Sequence, residues 1–239
     1  MSGDPRTAEL ARGLDLVEER VRAACAASGR QRSDVTLVVV TKTFPAADAV
    51  RLAALGVRDL AENRDQEAGP KAAELAAEGA DVRWHFVGQL QRNKARSVAR
   101  YADVLHSVDR EPLVRALDRA AADAGRRLDV LVQVDLGGIA DRPGAPRGGA
   151  APSDVARLAD LLAACGALRL RGVMAVAPRG EDPVAAFDRL AALASDLRRA
   201  HPDATWLSAG MSGDLEQAVA AGATHLRVGS AVLGSRPPL

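Results

Sequence analysis

The chain has 239 residues, 48% of them hydrophobic and 26% charged, which is typical of a folded globular domain and excludes disordered and fibrous classes. Its 32 basic and 31 acidic residues give a net charge of +1, which argues against nucleic-acid and anionic-membrane partners. Cys25 and Cys165 are isolated, with no C-x-x-C pair, so a zinc site or redox pair is not expected. No apolar run approaches the roughly 20 residues of a membrane span, and we predict a cytoplasmic protein that binds a small molecule.

Short β-rich runs alternate along the chain with longer segments of helical period. An amphipathic helix is predicted near residues 6–28, ahead of the first strand. Eight strands are predicted near residues 35–41, 58–61, 83–87, 103–106, 129–135, 169–174, 205–208 and 224–228. The helices between them are predicted near residues 45–55, 64–79, 91–100, 110–124, 153–165, 183–200 and 213–221, with a helical turn from about 230.

Eight strand and helix pairs in one chain of this length match the α/β fold known as the (β/α)8 TIM barrel, which typically needs about 250 residues. We therefore predict a single barrel domain over residues 1–239, with an extra N-terminal helix. A doubly wound open sheet is the alternative. The longest break, residues 136–152, is rich in Gly and Pro and predicts a loop after the fifth strand.

Lysine is scarce, because only Lys42, Lys71 and Lys94 among the 32 basic residues are lysine. Codon bias toward arginine would explain the scarcity, but a guanidinium cannot replace an amine that forms an imine. Lys42 ends the first predicted strand, VTLVVVTKTF, and so lies where barrel active sites form. Desolvation there would favour the neutral, nucleophilic amine. The alternative is a lysine that extends its ammonium group into solvent from a strand end.

Two glycine- and serine-containing loops follow the seventh and eighth predicted strands, where barrels commonly bind phosphate. SAGMSGD, residues 208–214, carries Ser208 and Ser212, and HLRVGSA, residues 225–231, carries Gly229 and Ser230. Serine hydroxyls and free backbone N–H groups at such turns can hold an anion. Ordinary helix capping would explain either loop alone. Two adjacent loops favour a phosphate site.

Polar residues also follow other strands. Arg227 is expected to point toward the barrel axis, where it could contact a ligand or form a salt bridge. Asn63 in AENRDQE and His85 in WHFVGQLQRNK follow or end the second and third strands and are candidates for contacting a polar ligand. A lone histidine such as His85 is more often structural.

Seven segments occur in a fixed order, namely VVVTKT, AENRDQE, WHFVGQLQRNK, HSVD, RGVMAV, SAGMSGD and LRVGSAVLG. Together they resemble the pyridoxal 5'-phosphate homeostasis protein family, which is related in fold to the N-terminal domain of alanine racemase. The resemblance covers about residues 10–235. It implies a single (β/α)8 barrel that carries pyridoxal 5'-phosphate as an imine on Lys42.

The resemblance also implies a set of contacts around the cofactor. Ser212, Gly229 and Ser230 would hold the phosphate beside Ser208, Arg227 would approach the pyridine nitrogen, Asn63 and His85 would lie along the ring, and Met174 would pack nearby. A cationic partner disfavours protonation of the ring nitrogen, which makes the cofactor a weaker electron sink. The chain departs from the family pattern at Ala61, usually Gly, and in loop 136–148, which lacks the usual Glu and Lys.

Racemase chemistry needs a second acid/base, a tyrosine that a partner subunit's extra domain supplies. Tyr101, the only tyrosine, precedes the fourth strand and is expected far from the barrel mouth. We therefore predict a monomeric carrier, without enzymatic activity, that delivers the cofactor to apoenzymes. The alternatives are a pyridoxal phosphate-dependent racemase or decarboxylase, and a class I aldolase-like enzyme in which Lys42 attacks a sugar-phosphate carbonyl.

Overall fold

Eight parallel strands close into a barrel in the computed structural model, which describes residues 4–137 and 148–235. The strands are β1 (Thr36–Val40), β2 (Asp59–Glu62), β3 (Arg83–Phe86), β4 (Val104–Val108), β5 (Leu128–Gln133), β6 (Leu168–Met174), β7 (Trp206–Ser208) and β8 (His225–Val228). The helices are α1 (Pro5–Ala27), α2 (Ala46–Ala54), α3 (Asp65–Ala77), α4 (Ala95–Val98), α5 (Glu111–Asp123), α6 (Val155–Ala163), α7 (Pro183–Ala200), α8 (Leu215–Ala220) and α9 (Ser230–Leu233).

The pairing of the first strand with the last confirms the predicted (β/α)8 barrel, and α1 confirms the predicted N-terminal helix. β1 pairs in parallel with β8, with Thr36 opposite His225 and Val39 opposite Val228, so the sheet has no free edge there and the open-sheet alternative is wrong. The predicted helix at 91–100 is shorter, a 3₁₀ turn at 92–94 followed by α4. Of the predicted loop 136–152, residues 138–147 lie outside the described residues.

Alternation along the strands decides which side chains enter the barrel. Val38 and Val40 of β1 pack with Ala61 of β2 in the interior, whereas Val39 joins the layer between barrel and helices. Extending this alternation past the end of β1 points residue 42 in the same direction as Val40. The carboxyl ends of the strands thus bring inward-facing side chains to one mouth of the barrel.

The N-terminal helix covers the last elements of the chain. α1 buries Leu10, Val17, Val21 and Cys25, whose spacing of four and seven residues forms one helical face. Gly13 lies so close to α9 that a Cβ atom there would be 2.4 Å from the carbonyl oxygen of Val232. α1 thereby supports α9, the helix that follows β8. Among the described helices, none is both long and apolar enough to cross a bilayer.

Candidate ligand site at the barrel mouth

A cavity of about 570 Å³ opens at the carboxyl ends of the strands. Seven of the nine residues expected to contact a ligand line this cavity, namely Lys42, Asn63, Met174, Ser212, Arg227, Gly229 and Ser230. They follow or end β1, β2, β6 and β8 or lie in the loop after β7. The structure therefore brings together residues as far apart in sequence as Lys42 and Ser230.

A strained turn holds Lys42 at the cavity wall. Thr43, the next residue, has a φ of +70°, which is costly for a β-branched side chain. Its backbone N–H donates to a carboxylate oxygen of Glu67 in α3 at 2.9 Å, which stabilises the turn. The chain reverses direction immediately after Lys42, so the side chain stays at the rim of the barrel.

A buried ion pair lies directly behind the first strand. The Lys71 ammonium, on α3, donates to Glu62 Oε1 at 2.5 Å and to the carbonyl oxygen of Thr41 at 2.9 Å. Thr41 donates its hydroxyl to the same Glu62 oxygen at 2.7 Å. Burial raises the pKa of Glu62 despite these partners. The pair therefore fixes the backbone that immediately precedes Lys42.

Replacing Lys71 by methionine is expected to destabilise the protein by about 3–5 kcal/mol, because Glu62 would remain buried without its cation. The free energy of unfolding, measured with urea, checks this. The double variant Lys71→Met/Glu62→Gln is the control, since it removes both charges and should recover most of the loss. If Lys71→Met is as stable as the wild-type protein, Lys71 and Glu62 do not form a buried ion pair that stabilises the fold.

The three lysines occupy different environments. Lys71 is 6% exposed and paired with Glu62, and Lys94 lies 3.8 Å from a carboxylate oxygen of Asp65. Lys42 is the lysine among the residues that line the cavity. The arrangement makes Lys42 the candidate nucleophile of this site.

The two serine loops meet at one side of the cavity. The hydroxyl groups of Ser212 and Ser230 are 3.2 Å apart, and the backbone N–H of Ala231 points at Ser212 Oγ at 3.3 Å. The N-cap residues of α8 and α9 are Asp214 and Gly229, so neither serine is itself an N-cap, and Ser212 Oγ accepts from an N-terminal amide of α9. Two hydroxyl groups at this spacing are suited to an anion such as phosphate.

Close backbone contacts favour glycine where this loop passes β1. A Cβ atom on Gly229 would lie 3.1 Å from the carbonyl oxygen of Val40, a contact tighter than nine in ten real Cβ contacts. In the loop after β3, a Cβ on Gly88 would lie 2.0 Å from the carbonyl oxygen of Asn63. Close backbone approach thus sets both the serine loop and Asn63 against the cavity.

Arg227 is a buried cation at the cavity floor, 5% exposed. Its guanidinium donates to Ser208 Oγ at 2.6 Å and to the carbonyl oxygen of Ala175 at 2.9 Å, and both acceptors are uncharged. Burial lowers the pKa of Arg227 to about 10, so it remains protonated at neutral pH. A buried cation with uncharged partners favours a ligand that offers an acceptor or negative charge.

His85 and Ser208 do not line the cavity, which corrects the contacts expected for them. His85 lies beneath the mouth, with Nε2 2.8 Å from Asp59 Oδ1 and Nδ1 2.8 Å from His106 Nε2. Ser208 is fully buried and lies between His106 and Arg227. Both positions face inward, but one layer below the ligand cavity.

Sequence reasoning overlooked His106 and His225. With His85 they form a group inside the barrel, with ring centroids 5.1–6.3 Å apart. The alternation of side chains along a strand could have identified His225, because residues two apart face the same side. His225 precedes the inward-facing Arg227 by two residues, and His85 precedes Val87 by two. Burial lowers the pKa of all three, and that of His225 to about 3, so the imidazoles are neutral.

Comparison with known proteins matches this chain to one family along nearly its whole length. Residues 14–237 match the family model of the alanine racemase N-terminal domain. The chain is 43% identical over 247 residues to the pyridoxal phosphate homeostasis protein of Mycobacterium leprae, covering 98% of this chain and 95% of that protein.

Solved structures agree with this match. PipY of Synechococcus elongatus, solved with PLP bound, is 35% identical and has a TM-score of 0.81, covering 94% of this chain and 100% of that one. The alanine racemase of Streptomyces coelicolor is 21% identical with a TM-score of 0.72, covering 97% of this chain and 59% of that one. This second likeness concerns the fold alone.

Proposed function

The chain belongs to the pyridoxal phosphate homeostasis protein family, and from this membership we propose that it binds pyridoxal 5'-phosphate reversibly at the barrel mouth. The single observation that carries the proposal is the convergence of Lys42, Arg227 and the paired hydroxyls of Ser212 and Ser230 on one cavity. An amine, a cation and an anion-binding loop are the groups that a phosphorylated pyridine aldehyde requires.

The residues present fit this cofactor. A cavity of about 570 Å³ lies within the usual range for small-ligand sites. The serine loops offer hydroxyl donors to the phosphate, and Arg227 offers its guanidinium to the ring nitrogen. Asn63 and the buried Met174 complete the walls. A permanently cationic partner at the ring nitrogen disfavours its protonation and weakens the electron sink that pyridoxal phosphate otherwise supplies.

Lys42 is the residue we propose to hold the cofactor covalently. Its amine adds to the aldehyde carbon, one water molecule leaves, and a C=N bond remains. Addition of water reverses the step and returns the free aldehyde and the amine. Because formation releases only water and hydrolysis consumes only water, the bond is suited to storage and release. We further propose apoenzymes as recipients of the released cofactor.

The cavity is poorly equipped for racemisation. Among the described residues, its titratable side chains are Lys42, Arg179 and Arg227, and arginine is a poor proton donor at neutral pH. Tyr101 packs near Gly69 of α3 with its hydroxyl 3.4 Å from Asp65 Oδ1, and burial raises its pKa. Without one of its two proton-transfer groups, the rate of racemisation falls roughly 10²–10⁴-fold. This supports a carrier rather than an enzyme.

A visible absorption spectrum with added pyridoxal phosphate tests the proposal, followed by borohydride reduction and mass mapping of the labelled lysine. We expect an imine band and label on Lys42, with no turnover of alanine. Label on Lys71 or Lys94 would overturn the site. Turnover of amino acids would favour a racemase or decarboxylase, and trapping with a sugar phosphate alone would favour an aldolase-like enzyme.

Removing the hydroxyl groups of the serine loops should weaken cofactor binding. We expect Ser212→Ala and Ser230→Ala each to raise the Kd for pyridoxal phosphate about tenfold or more, the effect of losing a hydrogen bond to a charged group. Absorbance titration measures this. Ser195→Ala, on the exposed face of α7, is the matched control. The phosphate assignment fails if pyridoxal without phosphate binds the unchanged protein equally well.

A further inference from the structure

A continuous chain of hydrogen bonds runs through the barrel interior below the cavity. Arg227 donates to Ser208 Oγ at 2.6 Å, and Ser208 Oγ lies 2.9 Å from His106 Nδ1. His106 Nε2 lies 2.8 Å from His85 Nδ1, and His85 Nε2 lies 2.8 Å from Asp59 Oδ1. We call these five residues the Arg227–Asp59 chain. It connects the ligand cavity to the start of β2, at the opposite end of the barrel.

The two ends of this chain determine its direction. A guanidinium can only donate hydrogen bonds, and a carboxylate can only accept them. Because Asp59 accepts, a neutral His85 carries its proton on Nε2 and accepts at Nδ1 from His106 Nε2. His106 Nδ1 is then unprotonated and accepts from the hydroxyl of Ser208, which itself accepts from Arg227. One arrangement of protons satisfies every link, with both imidazoles neutral.

We infer that the Arg227–Asp59 chain is a directional relay that fixes the guanidinium of Arg227 toward the ligand cavity, which makes Ser208, His106, His85 and Asp59 positioning residues for the ligand. The inference rests on the proposed function for the identity of the ligand. The role of each residue follows from contacts within the barrel. Sequence reasoning placed His85 and Ser208 on the ligand, whereas the relay places them behind the group that touches it.

The neutral state of the histidines agrees with this arrangement. Burial lowers the pKa of both His85 and His106, so each can act as donor on one nitrogen and acceptor on the other. Arg83 and Asp59 are the charged side chains nearest the lower end, with Arg83 Nη1 4.0 Å from Asp59 Oδ1. The ion pair helps to keep Asp59 as the carboxylate that terminates the relay.

His225 provides an internal comparison. It faces the same interior, with its ring centroid 6.3 Å from those of His85 and His106, but its Nδ1 contacts the hydroxyl of Thr224 at 2.9 Å. Its ring packs against Trp206 with centroids 4.3 Å apart. His225 is therefore a buried histidine of the same barrel that stands outside the relay.

Side-chain ¹⁵N NMR of the ligand-free protein tests the relay without any cofactor. We expect His85 and His106, assigned by single variants, both to carry the proton on Nε2. Asp59→Asn should let the Nδ1-protonated forms appear, because an amide can donate as well as accept and no longer fixes the direction. A Nδ1 proton on either histidine in the unchanged protein, or unaltered tautomers in Asp59→Asn, would overturn the inference.

Cofactor titration then tests the positioning role. Ser208→Ala and His106→Phe should each weaken pyridoxal phosphate binding about tenfold, as expected for disturbing one charged hydrogen bond, and shift the bound absorption band. His225→Phe, the matched control, should leave both unchanged. If Ser208→Ala binds pyridoxal phosphate with the wild-type affinity and the wild-type absorption band, the positioning role is refuted. If the unchanged protein binds no pyridoxal phosphate, the proposed function fails, and the tautomer measurement still decides the relay.

Discussion

Replacing Lys42 by alanine is expected to abolish the reducible imine with pyridoxal phosphate while leaving the barrel folded. Lys42 lines the cavity and is partly exposed, so its loss removes little core packing, and the free energy of unfolding should change by no more than about 0.5 kcal/mol. The measurement is borohydride trapping followed by mass mapping, with urea unfolding of the same samples.

Two controls separate covalent chemistry from charge. Lys42→Arg keeps a cation at the mouth but cannot form an imine, so it should retain noncovalent binding and lose the trapped adduct. Lys94→Ala removes a lysine that is paired with Asp65 away from the cavity wall. This variant should give the same borohydride-reduced adduct as the wild-type protein. Persistence of the imine band in Lys42→Ala would show that another amine holds the cofactor.

Mild acid is expected to destabilise the protein steeply, beginning near pH 6.5. His85, His106 and His225 have lowered pKa values in the folded state because of burial, so the unfolded chain takes up these protons first. Stability is therefore full above the unfolded pKa of about 6.5 and falls as the pH falls. Each such group contributes at most about 1.4 kcal/mol per pH unit, and only between its folded and unfolded pKa values.

Urea unfolding at pH 7.5, 6.5, 5.5 and 5.0 measures this dependence. His225→Phe removes one of the three protons and should lower the slope by up to about 1.4 kcal/mol per pH unit. Protonation of Glu62 has the opposite effect on stability at lower pH. Burial raises the pKa of Glu62, so the folded state takes up that proton before the unfolded chain does. A flat stability curve between pH 7.5 and 5.0 would show that the interior histidines are not held neutral.

Much of the architecture could be predicted because strand and helix periods differ clearly along this chain. The position of Lys42 followed from the end of the VVV run, and the serine loops followed from their place after the last two strands. These inferences need only the order of elements and the rule that barrel sites form at the carboxyl ends of strands.

The depth of each inward-facing side chain below the barrel mouth could not be predicted from the sequence. His85 and Ser208 face inward, but the stagger and tilt of neighbouring strands decide which inward residues reach the mouth. Those quantities depend on the closed sheet, where Ser208 of β7 lies opposite His225 of β8. The ion pair between Lys71 and Glu62 could not be predicted either, because it joins a strand to the helix that packs behind it.

Closure of the barrel by its first and last strands affects when the site can exist during synthesis. Lys42 emerges from the ribosome early, whereas Gly229 and Ser230 follow β8, and α9 packs on α1. A nascent chain that ends before residue 225 carries the amine but no complete anion-binding loop. The complete anion-binding loop therefore forms only after β8 has been synthesised.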